Sequence, residues 1–75
     1  TEHLYYPPEA IRRGLEGEVI LLLQLSESGR VVSASIARSS GHVMLDQAAL
    51  EAARRIGALP GSPRQSLFPV NFRLE

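Results

Sequence analysis

The chain has 75 residues, and its eight arginines balance its eight acidic residues, so the formal net charge is zero. This length predicts a single domain over residues 1–75 with a small core, and the absence of cysteine excludes disulfides and thiol chemistry. The neutral balance argues against a nucleic-acid partner and against a membrane-surface domain.

Hydropathy predicts a soluble domain without a span of its own. The longest apolar run, residues 19–23, is far shorter than the ~20 residues that a transmembrane helix needs. No signal peptide is visible at the start. We expect an excised domain whose anchor and linker lie upstream of Thr1.

A short helix is the first predicted element, and Pro7-Pro8 opens it. Proline suits the first turn because its missing N–H would have no partner inside the helix. Gly14 predicts the end of this helix, and we expect Tyr6 to pack over the end of the sheet. The apolar positions of the segment are Ala10, Ile11 and Leu15.

Two strands joined by a turn come next. Residues 18–25 are apolar on both faces, which is typical of a central strand. A turn at Ser28-Gly29 leads into the return strand, residues 31–37. The alternation in that strand puts Val32, Ala34 and Ile36 on one face and Ser33 and Ser35 on the other, wetter face.

A longer helix and a last strand complete the chain. The helix is predicted over residues 43–56 and ends at Gly57; its apolar stripe is Leu45, Ala48, Ala49, Ala52 and Ile56. The strand is predicted over residues 67–74. Its core face carries Phe68, Val70, Phe72 and Leu74.

This order of elements predicts an α+β fold. A right-handed crossover after the second strand brings the third beside the first, which gives a three-stranded antiparallel sheet of order 2-1-3. Both helices then pack on one face of the sheet. The last strand becomes an edge, and we expect Pro69 to face the open side because proline is tolerated only where no ladder bond is needed. An incoming strand would then pair with Asn71 and Arg73.

The remaining polar signals predict no enzyme and no cofactor. Ser39, Ser40, His42 and Asp46 include the residue types of a hydrolase triad, but their crowding indicates a turn and a helix cap. The two histidines, His3 and His42, have no metal-ligand spacing.

Two other features leave the kind of interaction open. An RNA-binding sheet needs aromatic side chains on its central strand, and this one has none. Ile20 and Leu22 on the helix-free face allow a homodimer, a partner or a covering N-terminal segment.

The order and spacing of several short motifs over about residues 5–60 resemble the C-terminal domain of the TonB family. The motifs are Tyr6-Pro7, Gly17-Glu18-Val19, Ser28-Gly29-Arg30-Val31, Ser39-Ser40-Gly41-His42 and Leu45-Asp46. The final strand fits the family pattern in position. The chain differs after the long helix, where it has Ile56-Gly57-Ala58-Leu59-Pro60 in place of an aromatic-rich segment, and at Pro69 within the last strand.

The resemblance implies a non-catalytic periplasmic domain of an inner-membrane-anchored energy transducer. Such proteins work beside ExbB and ExbD, bind the TonB box of an outer-membrane transporter and transmit force for uptake of siderophore-iron, haem or cobalamin. Carried onto this chain, the partner-binding residues are Leu67, Phe68, Pro69, Val70, Asn71, Phe72 and Arg73, with Leu4 and Tyr5 as a secondary contact. A TolA-like or paralogous envelope-organising domain is the alternative.

Overall fold

The computed structural model describes residues 5–74, which form two helices and three strands. In chain order the elements are α1 (Pro8–Arg12), β1 (Gly17–Leu25), β2 (Val31–Arg38), α2 (Val43–Ile56) and β3 (Gln65–Phe72). The strands make one antiparallel sheet of order β2-β1-β3. The predicted fold class and strand order are confirmed.

The central strand β1 supplies the middle of the core. Its odd-numbered residues from Val19 to Leu25 are between 0% and 5% exposed, whereas Glu18 and Gln24 on the other face are exposed. Because β1 is paired on both sides, its main-chain groups are satisfied without water, and one of its faces can be buried completely. The apolar content of this strand therefore sets where the core lies.

Helix α2 covers the core face of the sheet. Its stripe of small side chains brings the helix close to β1 and β2, and Gly57 ends it with φ of 79°. The helix buries two residues that the apolar stripe did not include, Ala53 and Asp46, while Ile56 is only half-buried. Ala53 follows Ala49 by one helical turn, so the buried stripe is wider than predicted.

The side chains of β2 depart from the predicted alternation because the β1–β2 ladder contains two bulges. The register shifts between Ile20 and Leu21 and again between Gln24 and Leu25. The second bulge leaves Val32 65% exposed and places Val31 against the core instead. Ala34 and Ile36 lie opposite the buried residues Leu23 and Leu21 and so share one face, although Ile36 is 40% exposed. The prediction that Val32 shares this face with them is wrong.

Strand β3 begins and ends two residues earlier than predicted. Before its first residue the pairing with β1 extends by one more residue, since the N–H of Leu25 donates to the carbonyl oxygen of Arg64 at 2.7 Å. At its other end Phe72 pairs with Gly17, the first residue of β1. Arg73 and Leu74 have no β1 residue opposite them, so they lie beyond the strand.

Helix α1 packs at one end of the sheet through Ala10, which is completely buried. Ile11 was predicted as an apolar packing position, but it is 49% exposed because a helix of little more than one turn buries only one side. Tyr6 packs over the sheet end as predicted. Its ring meets that of Phe72 edge-on with the centroids 5.2 Å apart.

The β1–β2 turn is locked against the segment after α2. The N–H of Leu59 donates to the carbonyl oxygen of Gly29 at 2.7 Å, and Arg30 forms an isolated antiparallel β-bridge with Ala58. Gly29 has φ of +89°, and a Cβ at this position would lie 2.8 Å from the Cα of Pro60. The site therefore requires glycine both for its backbone conformation and for the close approach.

Replacing Gly29 should separate these two requirements when Gly61 serves as the matched control. Gly61 also has positive φ, at +83°, but its Cβ would meet nothing within 4 Å. We expect Gly61→Ala to lower the free energy of unfolding by about 1 kcal/mol, the cost of the left-handed conformation. Gly29→Ala adds the backbone clash and should cost about 2–4 kcal/mol. Urea unfolding measures both, and equal losses would contradict the close approach.

Candidate partner-binding edge

Strand β3 forms one edge of the sheet, and its main-chain groups point alternately toward β1 and away from it. Leu25 and Arg64 continue the register of the β1–β3 ladder, and their hydrogen bond shows that the main-chain groups of Arg64 point toward β1. This fixes the direction of the groups of every following residue in β3. Groups of successive residues alternate in an antiparallel ladder. The residues of β3 that face away from β1 are therefore Gln65, Leu67, Pro69 and Asn71.

Proline occupies one of these outward positions. Pro69 lies opposite Ile20 at a position whose main-chain groups do not bond β1, so its missing N–H removes no hydrogen bond from the ladder. This geometry is the one expected from the sequence. The outward edge thus offers donors and acceptors at Leu67 and Asn71 and an acceptor alone at Pro69. Within residues 5–74 no strand lies beyond β3.

The side chains of the seven residues predicted to bind a partner, residues 67–73, divide between the two faces of the sheet. Val70 and Phe72 point into the core and are 7% and 1% exposed, and Phe68 is half-buried against it. Leu67, Pro69 and Asn71 are exposed on the helix-free face. The surface open to a partner therefore consists of the outward main chain and this second set of side chains.

The other nominated residues lie at the margins of β3 or outside the described chain. Arg73 is exposed and follows the last residue of the strand. Tyr5 is 54% exposed just before Tyr6 and α1. Leu4 lies outside the described residues.

The end of β3 is held by groups that precede β1. A carboxylate oxygen of Glu16 accepts a hydrogen bond from the N–H of Leu74 at 2.8 Å. The hydroxyl of Tyr6 donates to the carbonyl oxygen of Leu15, and burial together with the nearby Glu16 carboxylate raises the pKa of Tyr6. These contacts anchor the chain where β3 ends. Glu16 also lines a cleft of about 530 Å³ together with residues 17–18 and 71–73.

The opposite edge, β2, is obstructed at its start. The N–H of Val31 donates to the carbonyl oxygen of Gly57 at 2.9 Å, so the segment after α2 occupies the outward side there. The two bulges also disturb the ladder, a feature that protects natural edge strands from pairing. By contrast, β3 pairs with β1 over eight residues without a register shift. Of the two edges, β3 is the flatter and more open.

A small apolar patch adjoins the open edge on the helix-free face. The register places Leu67 beside Leu22 and Pro69 beside Ile20. Sequence patterning identified Ile20 and Leu22 on this face but did not connect them with Leu67 and Pro69. Only the register could make that connection, because residues on different strands share a row through pairing and not through spacing in the chain.

The serine, histidine and aspartate motif forms a structural clamp between β2 and α2. The Asp46 carboxylate accepts hydrogen bonds from the Ser39 hydroxyl at 2.5 Å, the Ser40 hydroxyl at 2.8 Å and the Ser40 N–H at 2.9 Å. The main-chain N–H and carbonyl oxygen of His42 form hydrogen bonds with the Ser40 hydroxyl. The motif forms the corner between β2 and α2, with both serine hydroxyls donating to the carboxylate. The predicted helix cap is not found, because the N-cap residue of α2 is His42 and it makes no side-chain cap hydrogen bond.

The β2–α2 corner lies close to the first residue of β1. A Cβ placed on Gly17 would lie 3.0 Å from the Cβ of Ser40. Burial alone would raise the pKa of the Asp46 carboxyl, but the hydrogen bonds from Ser39 and Ser40 and the nearby charge of His42 hold that pKa below its usual range. Asp46 is therefore an ionised anchor of the fold.

Removing the Asp46 carboxylate should destabilise the domain in a pH-dependent way. We expect Asp46→Ala to lower the free energy of unfolding at pH 7 by about 1–3 kcal/mol, because it leaves the hydrogen-bond donors of Ser39 and Ser40 without an acceptor. The folded-state pKa lies below the unfolded value, so this contribution is present above about pH 4 and is lost as the pH falls through the folded pKa. Urea unfolding at several pH values should show the difference from wild type shrinking in acid.

A carboxylate on the same helix provides the control for this pH effect. Glu51 is exposed and bonds Arg54 at 3.0 Å on the surface. Glu51→Gln should change stability by less than about 0.5 kcal/mol, because exposed ion pairs contribute little. A difference between Asp46→Ala and wild type that stays constant down to pH 2 would contradict an ionised anchor.

Comparison with known proteins identifies the family. A protein-family model described as the Gram-negative bacterial TonB protein C-terminal matches residues 2–74. The chain is 40% identical over 77 aligned residues to the TonB protein of Pasteurella multocida strain Pm70, covering 97% of this chain and 30% of that protein. It is 44% identical over 62 residues to the TonB protein of Pseudomonas putida, covering 83% of this chain and 26% of that protein.

Two solved structures share the fold. The solution structure of the Helicobacter pylori TonB C-terminal domain matches with a TM-score of 0.80 and 28% identity, covering 99% of this chain and 72% of that one. TolAIII, solved bound to a peptide from the N-terminus of TolB, matches with a TM-score of 0.77 and 25% identity, covering 99% of this chain and 66% of that one. Within residues 5–74, no helix has the length and apolarity to cross a membrane. By fold and by sequence, this chain belongs to the TonB C-terminal domain family.

Proposed function

We propose that the domain captures an extended segment of an outer-membrane transporter by strand addition to β3, and that it passes on force exerted from the inner membrane. One observation carries this proposal: β3 is an edge strand whose outward main-chain groups face away from the sheet over a regular eight-residue ladder. Edges of this kind bind extended peptides through main-chain hydrogen bonds.

Family membership supports the wider setting of this proposal. The chain spans 30% of the length of the Pasteurella multocida TonB protein and 26% of that of Pseudomonas putida. In the proposed arrangement the domain is periplasmic, and ExbB and ExbD act through the preceding N-terminal part. The domain itself is non-catalytic and serves uptake of siderophore-iron, haem or cobalamin.

The way β3 is anchored suits a strand that bears load. Its core-facing side chains, Val70 and Phe72, are buried, and Phe72 packs against Tyr6. The Glu16 carboxylate holds the main chain immediately after the strand. Force applied to a captured segment would therefore pass into the core through β3 and its ladder with β1.

A TolA-like role in organising the envelope is the second candidate. It is favoured by the similarity to TolAIII, which was solved with a peptide from TolB bound. That protein shows that a domain with a similar fold binds a peptide. The chain is 40% and 44% identical to the two TonB proteins but 25% identical to TolAIII, which favours the transporter as partner.

Amide exchange measured by NMR tests the capture site directly. On addition of a TonB-box peptide, we expect exchange to slow at Leu67 and Asn71, whose N–H groups face outward, and little change at Phe68, Val70 and Phe72, which already bond β1. A peptide from the N-terminus of TolB is the comparison ligand, and tighter binding of that peptide would favour the TolA-like role. Changes in amide exchange confined to Arg12, Arg13 and α2 would exclude the β3 edge as the binding site.

Substitution of Pro69 tests the hydrogen-bond pattern of the edge. Pro69→Ala supplies an outward N–H, so we expect it to strengthen peptide binding by about 1 kcal/mol, or roughly fivefold in Kd. Pro63→Ala, in the exposed loop before β3, is the control and should leave Kd unchanged. Calorimetric titration measures both variants.

The same substitution also examines the protective role of proline. An added N–H makes the edge more receptive to a second copy of the domain, so Pro69→Ala should self-associate more than wild type in sedimentation experiments. Affinities are therefore compared at protein concentrations where both are monomeric. A Pro69→Ala variant that binds the peptide no better than wild type would contradict pairing at this position.

A further inference from the structure

Tyr6 precedes helix α1 and is attached to the sheet by two separate contacts. Its ring meets the ring of Phe72, the last residue of β3, edge-on. Its hydroxyl donates a hydrogen bond to the carbonyl oxygen of Leu15, close before the start of β1. Because Phe72 pairs with Gly17, both contacts lie at the same end of the sheet. Tyr6 therefore connects the chain that precedes it to β1 and to β3 at once.

Helix α1 lies within the loop that the hydrogen bond between Tyr6 and Leu15 closes, and by itself it would resist little force. It has five residues, of which only Ala10 is buried. Its ion pair, between Glu9 and Arg12, is exposed. Helical hydrogen bonds run along the axis, so tension opens them one after another and lengthens the chain from about 1.5 to about 3.3 Å per residue. Helix α1 would be the first element to open if tension passed through it.

We propose that Tyr6 is a force-bearing residue that carries tension from the preceding part of the protein past α1 and directly into β1 and β3. This inference rests on the proposed function for the direction of the pull, which comes from the N-terminal side. Tension on the chain before Tyr6 reaches Leu15 through the hydroxyl and Phe72 through the ring. The segment between Tyr6 and Leu15 carries none of it, so α1 stays folded. We call this path the Tyr6 bypass.

The residues that receive the load are held by the core and by the ladder. Phe72 is 1% exposed, and Leu15 packs against the same cluster of buried side chains. Glu16 follows Leu15 and accepts a hydrogen bond from the N–H of Leu74, which joins the approach to β1 to the end of β3. Beyond this point the load meets the eight paired residues of the β1–β3 ladder. Ladder hydrogen bonds lie across the strands, so tension along the strands loads them together.

Force spectroscopy on single molecules tests the Tyr6 bypass. One handle is attached at Thr1 and the other in the exposed loop before β3 through Ser62→Cys, since the chain has no cysteine of its own. These two points load β1 and β3 from opposite ends of their antiparallel ladder. We expect the domain with the native Tyr6 to unfold in one step, without an earlier extension.

Removing the hydroxyl of Tyr6 should expose α1 to the tension. Tyr6→Phe keeps the ring against Phe72, and we expect it to add an early extension of roughly 2 nm at a force below that of unfolding. Positions 6 and 15 are nine residues apart and span about 3 nm when extended, of which the tyrosine side chain already bridges about 1 nm. Tyr6→Ala also removes the ring contact, so its early extension should occur at a still lower force.

Two control variants separate this mechanical role from a general loss of stability. Tyr5→Phe removes the hydroxyl of the neighbouring tyrosine, which is 54% exposed, and should unfold in one step at the native force. Asp46→Ala destabilises the domain at the β2–α2 corner, outside the loop between Tyr6 and Leu15. It should lower the unfolding force without adding the early extension.

The outcomes distinguish the Tyr6 bypass from the strand capture proposed above. An early extension with native Tyr6, or none in either Tyr6→Phe or Tyr6→Ala, would overturn the bypass, as would equal early extensions in Tyr5→Phe and Tyr6→Phe. An early extension in Tyr6→Ala alone would assign the load to the ring. The measurement needs no captured segment, so strand capture is tested separately: unchanged amide exchange at Leu67 and Asn71 would reject capture whatever the force measurement gives.

Discussion

The rest of the domain depends on strand β1, which is paired on both sides and buried on one face. Val19, Leu21 and Leu23 are fully buried, and the strand is bonded to β2 on one side and to β3 on the other. In a chain of this size a single sheet face supplies nearly all of the core. Within residues 5–74 the outer strands β2 and β3 are each paired with β1 alone, so the sheet has two edges.

The two edges of the sheet differ because of what happens at their ends. The segment after α2 returns to the start of β2 and occupies its outward side through Val31 and Gly29. No described element returns to β3 in this way: the ring of Tyr6 contacts only its last residue, Phe72, and the side chain of Glu16 bonds Leu74 beyond it. Pro69 lowers the risk of uncontrolled pairing without removing the acceptors of the edge. The result is one obstructed edge and one that is open but partly protected.

Much of the fold could be predicted from local patterning. Helix α2 was predicted with its observed ends because the stripe from Leu45 onward has helical period and Gly57 ends it. The bulges in β2 could not be foreseen, since they arise where the two strands accommodate each other and not from the composition of either. The burial of Asp46 was missed because it depends on three hydrogen bonds from a corner that forms only in the folded chain.

The sequence by itself determined the order and type of the elements, the strand that lies in the centre, and the outward direction of Pro69. These follow from periodicity and from the missing N–H of proline, which are local properties of the chain. Only the tertiary structure decided that Leu22 lies beside Leu67, that Glu16 holds Leu74, and that the end of α2 closes the edge of β2. Such contacts join residues far apart in the chain, and their register depends on how the whole core packs.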